Sequence, residues 1–488
     1  MVRHILRGHI MLERLFKLSA AGTNVKREVL AGVTTFLTMA YIVFLQPFIL
    51  SGAGMDFDAV LFATCISAAI ATLVMGLLAN LPIAQAPGMG ENYFFVGICA
   101  SAGGPVAMAA KQAGVEPWRI ALGIVFVSGI AFLILSLGGA RRLIVDQIST
   151  SMKHAIAVGI GLFIAFIGLK NAGLITSGAV VIDGKFIDPG TLVRLSADFA
   201  NPDIIIFFIG LILTAVLLAR RVPGAILLGI VGATVFAIVG RLIVDLPALA
   251  DAAVVQQSKL ATMFHPWSFQ WKAPSVMPTL LKMDLVHIWS LSLLPYMVIF
   301  LVMDVFDTTG TIIGVASRAG LITEDGQLPG GNRALVSDAI GTCVGAALGT
   351  STVTSYIEST AGVEQGGRTG LVSVVVAICF LLALLLQPIV SIVGGYPVLT
   401  APTLVVIGAL MFVSAHHITW DDPTEAVPAF LMMIGIPLTF SIADGLALGF
   451  VAYPLVKLIS GRLREVNWFM IVLCLLFVAY FLFVRPQV

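Results

Sequence analysis

Three carboxylates stand in stretches of sequence that are otherwise apolar. Asp304 and Asp307 lie in the run Phe300–Gly310, and their i, i+3 spacing places them on one face of a helix. Glu358 follows the hydroxyl-rich run Thr350–Ser355. At the centre of a membrane helix each such charge costs roughly 2.5–3.5 kcal/mol even on the lenient scale, so these acids are functional candidates by default. An ionised carboxylate accepts hydrogen bonds from N–H donors. Two carboxylates in a dry site can also share one proton, since both cannot ionise cheaply side by side. That chemistry joins solute recognition to proton carriage, with Asp307 ahead of Asp304 and Glu358 as the coupling group. Structural alternatives stand beside it: an aspartate could cap a broken helix, and Glu358 could answer a helix dipole. Asn92 offers a donor and an acceptor for a heterocycle edge, or a helix cap. Gln85 could equally satisfy loose backbone or touch the solute.

Asn92 and Gln85 belong to a segment, Asn80–Tyr93, that holds Pro82, Pro87, Gly88 and Gly90; Glu358 belongs to a second, Gly349–Gly362. Neither can be an ordinary lipid-facing helix. Each reads as a short extended piece leading into a half-helix. Irregular backbone is tolerated at membrane depth only where protein or a water-filled cavity covers it. Paired broken segments at matching places in two halves point to a transporter site at a repeat interface.

Composition agrees. Of 488 residues 59% are hydrophobic and 11% charged, against about 25% charged in a soluble domain. Fourteen spans of roughly 20 residues would use about 280 residues. This excludes a soluble enzyme, a nucleic-acid binder and a disordered chain. The fold class expected is an all-α polytopic membrane protein with a 7+7 inverted repeat, about fourteen spans, and short strands in its two broken segments. An odd number of spans per half makes the repeats inverted. The divisions are 1–27, an N-terminal segment; 28–244, the first repeat; 245–286, a more polar connector; 287–461, the second repeat; and 462–488, a tail with one more apolar stretch at 467–484. Basic residues set the orientation. A cytoplasmic N terminus puts Arg141, Arg142, Lys153, Arg220, Arg221, Arg318, Arg333, Lys457, Arg462 and Arg464 inside, and the connector outside a cell membrane. No cleavable signal peptide is expected ahead of the first long apolar run.

Several motifs together resemble a known family. They are Met11–Leu18, Arg27–Tyr41, Ala86-Pro87-Gly88-Met89-Gly90, Phe306–Thr311, Tyr356-Ile357-Glu358-Ser359 and Gly366–Leu371. These look like AzgA-type purine permeases of the nucleobase–cation symporter-2 group, and the likeness covers nearly the whole chain. The resemblance implies the fold of the uracil and urate–xanthine permeases, in which spans 1–4 and 8–11 form a core that moves against a gate of spans 5–7 and 12–14. It implies a proton symporter importing adenine, guanine or hypoxanthine by alternating access, and a homodimer. Glu358 and Asn92 match the family's substrate-binding glutamate and site asparagine. The chain departs from the pattern at Glu91 and at Tyr93, which replaces a small residue.

Other residues fit plainer roles. Phe94, Phe306 and Tyr356 could stack on a flat ring, but aromatics are common in membrane helices. Glu91 should point away from Asn92, toward the cytoplasm or a cavity. His154, His287, His416 and His417 read as solvated or terminal, Gly159 and Gly161 as small-residue packing, and Arg368 as a positive-inside charge. The five cysteines are scattered singly, so no metal or disulfide is indicated, and no cofactor is called for. An anion carrier of the related sulfate or bicarbonate fold is the main alternative; it would want helix N-termini and a cation at the site, not three acids. An embedded enzyme has no nucleophile or metal motif to rest on, and a passive channel would need no protonatable site residues.

Overall fold

The computed structural model describes residues 11–484 apart from 102, 139–147, 178–179, 183–184, 188–192, 245–255, 257, 268–270, 272 and 323–327. Arg141 and Arg142 therefore lie outside the described residues. The described chain is mostly helical, as expected. Ten of its helices are long and apolar enough to cross a membrane, or eleven if one bent pair counts as a span.

Helix boundaries follow local chemistry. The first span is α1 (Val25–Met39), capped by the Asn24 side chain, continuing through Ala40 into α2 (Tyr41–Ser51). α3 (Phe57–Val74) is capped by Asp56, widens into a π turn at Met75–Ala79 and stops at Asn80, whose φ is 53°. An αL residue after a helix is a common terminator. After the broken segment come α4 (Met89–Ala100), α5 (Pro105–Ala113) and α6 (Pro117–Leu137), the last two opening on proline, which suits a first turn. Then follow α7 (Thr150–Asn171), α8 (Pro202–Ala219) and α9 (Ala225–Val244). The second set is α10 (Leu294–Arg318), α11 (Gly331–Leu348), α12 (Ser359–Glu364), α13 (Gly370–Ala383), α14 (Gln387–Gly394), α15 (Ala401–Phe412), α16 (Pro423–Thr439) and α17 (Ile442–Ile459). The apolar tail forms one more helix, α18 (Trp468–Ala479), packed on α17.

These helices pack as two groups. α1, α2, α3, α6, α10, α11, α12 and α13 contact one another, and α7, α8, α9, α15, α16 and α17 form the second group. Close approach explains one glycine motif. A Cβ on Gly370 would meet the Gly76 carbonyl oxygen at 2.0 Å, so α3 and α13 touch backbone to backbone. Gly159 and Gly161 likewise admit Ile436 and Gly408 of the second group.

The two broken segments meet inside the first group. β1 (Gln85–Pro87) pairs antiparallel with β2 (Val353–Ser355), with Gln85 opposite Ser355, Ala86 opposite Thr354 and Pro87 opposite Val353. All six residues are buried. Pairing only three residues deep leaves neighbouring backbone groups to be satisfied elsewhere, and hydroxyls take them up. Thr72 Oγ1 accepts from Gln85 N at 2.8 Å, Ser359 Oγ from Ala84 N at 3.0 Å, and Thr342 Oγ1 from Val353 N at 3.2 Å; Ser373 Oγ donates to Leu81 O at 2.7 Å.

Candidate functional site

The carboxylates gather around β1 and β2, but not as the i, i+3 spacing suggests. Asp304 and Asp307 turn to different neighbours. Asp304 is buried and turns to α11, where Thr342 Oγ1 donates to its Oδ2 at 2.9 Å. Its charged neighbour there is Asp338, a fully buried acid that sequence reasoning missed. Asp338 Oδ1 accepts from Gln85 Nε2 at 2.7 Å and from Ser355 Oγ at 3.0 Å. Asp304 Oδ1 and Asp338 Oδ2 have no hydrogen-bond donor among the described residues. Two buried acceptors side by side need a shared proton to be satisfied.

Asp307, one turn further along α10, is exposed, with Glu358 as its charged neighbour and the Thr354 hydroxyl beside it. Glu358 is partly buried and its Oε1 accepts from Tyr41 Oη at 2.6 Å. Thr308 and Thr354 share a 2.7 Å hydroxyl contact that ties α10 to β2 between the acids. The neighbouring Phe306 meets the second group, with Lys153 Nζ of α7 lying 5.9 Å from its ring centre. The site is thus two acid pairs, one buried within the first group and one open at the boundary between groups.

The amide candidates fill other positions. Both Nε2 donors of Gln85 are spent on Asp338 and Ser355, and its Oε1 accepts from Ser337 Oγ at 3.0 Å. Gln85 therefore positions an acid. Asn92 is fully buried and pairs amide to amide with Gln46 of α2, while Ser351 Oγ donates to its Oδ1. That network locks α4 to α2 and to the start of the second broken segment, instead of turning Asn92 toward the acids. Glu91 does point away from Asn92, yet it does not face the cytoplasm. It is 2% exposed and curls back over Gly88 toward Thr354, with Asp307 and Asp338 as charged neighbours. Phe94 is packed on Phe300 and Tyr296, and Tyr356 donates its hydroxyl to Pro87 O.

Asp338 carried a signal of its own: an acid inside the run Ala334–Leu348, subject to the same cost as Asp304. Tyr41 and Gln46 carried none, because each acquires its role from a partner more than 40 positions away. The Gly366–Gly370 motif also has a structural partner. Glu28 is fully buried and accepts from Arg368 N at 2.9 Å, Thr369 N at 3.2 Å and Thr369 Oγ1 at 2.6 Å. Arg368 turns inward and donates to Val363 O and Gly367 O.

The sequence as a whole matches known permeases along nearly its full length. The Permease family model covers residues 26–448. The chain belongs to that family. This permease is 46% identical to the putative permease MJ0326 of Methanocaldococcus jannaschii, over 97% of its own length and 98% of the relative's. It is 39% identical to adenine permease AdeP of Escherichia coli, over 98% and 97%. It is 38% identical to guanine/hypoxanthine permease PbuO of Bacillus subtilis, over 95% and 98%. The relatives are permeases, not enzymes, and the resemblance to the nucleobase–cation symporter-2 group holds. Among solved structures, the transmembrane domain of the cyanobacterial bicarbonate transporter BicA aligns with a TM-score of 0.60 and 14% identity, over 87% of this chain and 97% of that one. That likeness concerns the fold alone.

Proposed function

We propose that this permease imports a purine nucleobase together with a proton. The observation that carries the reading is the open Asp307–Glu358 pair beside the crossed strands, with Tyr41 orienting one acid. Ring N–H groups of a base donate to carboxylates, and a largely neutral base needs an ion gradient to be concentrated. Asp307 is exposed and takes up and releases the proton, and the buried Asp304–Asp338 pair holds one behind it. The names of AdeP and PbuO support adenine, guanine or hypoxanthine as cargo. In this reading α1–α6 and α10–α14 are the core, α7–α9 and α15–α17 are the gate, and the N terminus is cytoplasmic. A homodimer belongs to the same reading and is checked by light scattering in detergent.

An anion carrier shares the fold, as BicA shows. An anion bound here would sit among Glu91, Asp304, Asp307, Asp338 and Glu358, which argues against that cargo. The test is uptake of labelled adenine and labelled hypoxanthine, with and without a protonophore, in cells lacking their own purine carriers. Protonophore-sensitive accumulation of either base is the expected result. Neither base entering cells that carry the protein in their membrane would overturn the proposal.

A further inference from the structure

A cavity lies between the two helix groups, further along α4 from the paired strands. Its volume is about 200 Å³, below the roughly 300–1,000 Å³ of drug-sized sites. That suits one fused-ring base. None of Gln85, Asn92, Asp304, Asp307 and Glu358 lines it. Its walls are Tyr93 of α4, Tyr296 of α10, Phe163 of α7, Phe440 in the α16–α17 turn, Asp444 of α17 and Tyr480 beyond α18.

One feature of this cavity is unexplained by folding alone. Tyr93 Oη is buried and has no hydrogen-bond partner among the described residues, which is rare for a native polar group. Phe440, with φ 55°, is the left-handed C-cap that ends α16, its N–H donating to Ile436 O. Its ring is held edge-on to Phe163 with centroids 5.1 Å apart, and Lys170 Nζ sits 4.8 Å from its centre. Tyr93 in turn meets Phe163 edge-on at 6.0 Å. Asp444 accepts from Tyr480 Oη at 2.8 Å, so a carboxylate is oriented at the far wall.

We infer that this cavity is a second binding site for the transported base, occupied before the ring reaches the Asp307–Glu358 pair. The inference rests on the purine reading above. Phe440 and Phe163 supply the flat apolar faces, Tyr93 Oη a hydrogen bond to a ring nitrogen or exocyclic group, and Asp444 an acceptor for a ring N–H. A nucleobase is the ligand class that uses all three at once. Tyr93 thereby acquires a reason to stand next to Asn92 while facing the opposite way.

The test is equilibrium binding of labelled adenine and hypoxanthine to the purified full-length permease, together with uptake. Wild type should bind two equivalents, and Glu358→Gln should lose one and keep the other. Tyr93→Phe and Asp444→Asn should each lose the second equivalent and raise the uptake KM about fivefold, with the maximal rate unchanged. Gly97→Leu gives an independent variant. Gly97 lines the cavity and a Cβ there meets nothing within 4 Å, so leucine fills the space without displacing backbone and should have the same effect. One class of sites that Glu358→Gln abolishes, with normal KM in the cavity variants, would overturn the second site and leave the purine reading standing. Absence of binding and uptake of both bases would overturn both.

Discussion

Tyr41 holds Glu358 through a 2.6 Å hydrogen bond that joins the middle of the first span to the start of the second half-helix. Asp307 is the charged neighbour of this acid. A hydrogen bond to a charged group is worth about 1.5–3 kcal/mol. Tyr41→Phe keeps the ring and removes only that bond. The variant should reach the membrane normally and lose about tenfold in uptake kcat/KM, measured with labelled base over a range of concentrations. An unchanged kcat/KM would show that Glu358 needs no orienting partner.

Asp304 and Asp338 should behave as a unit, since neither has another donor for its open oxygen. Asp304→Asn and Asp338→Asn should each cut protonophore-sensitive accumulation at least about tenfold. The double variant should be no worse than either single one, as expected for groups acting together. Losses that multiply would mean that the two acids work separately. Asp307→Asn should also abolish accumulation, and uphill uptake surviving in that variant would remove Asp307 as the coupling group.

Glu28 satisfies three donors at the start of α13 from a fully buried position. Glu28→Ala leaves them unpaired and should destabilise the protein by about 2 kcal/mol or more. A fall in thermal midpoint of the detergent-purified protein, larger than that of Arg368→Ala, would support the assignment. Equal midpoints for wild type and Glu28→Ala would refute it.

In the second group a charged clamp joins Lys457 to Glu425 at 2.9 Å and to Glu465 at 2.7 Å, while Arg462 Nη1 donates to Asp422 at 2.8 Å. Hydrogen bonds from Thr424, and then Arg462, hold the Asp422 carboxyl down to about 2. A folded value below the unfolded one contributes stability above the ordinary carboxylate range near 4 and loses it as pH falls toward 2. Asp422→Asn should therefore lower the thermal midpoint at pH 7, and the gap from wild type should close below about pH 4. A gap that stays constant with pH would assign the effect to packing instead.

Gly370→Ala tests the backbone contact between α3 and α13. Its Cβ would fall 2.0 Å from the Gly76 carbonyl oxygen, where no side-chain rearrangement relieves the clash. Loss of the folded protein from the membrane, seen by size-exclusion of a fluorescent fusion, is the expected outcome. A monodisperse, active Gly370→Ala protein would show that these helices can separate.

Much of the architecture was legible along the chain. Apolar runs of membrane length, interrupted at Asn80–Tyr93 and Gly349–Gly362, determined a polytopic helical fold with two broken segments. They did so because proline, glycine and hydroxyl-rich runs cannot remain helical against lipid. Asp304, Asp307 and Glu358 likewise announced themselves through their cost in hydrocarbon, whereas Asp338, subject to the same cost, was missed. What no local pattern could decide was which acid meets which. The i, i+3 spacing brought Asp304 and Asp307 near one face, but the approach of α11 captured Asp304 and left Asp307 open to Glu358. Asn92 and Gln85 read as solute contacts because an amide offers both a donor and an acceptor. Only the tertiary structure showed those atoms used by Gln46, Ser351, Asp338 and Ser355. Sequence determines where polar groups must be buried; the packing of distant helices decides which partners are within reach of a hydrogen bond, and so which groups remain for the solute.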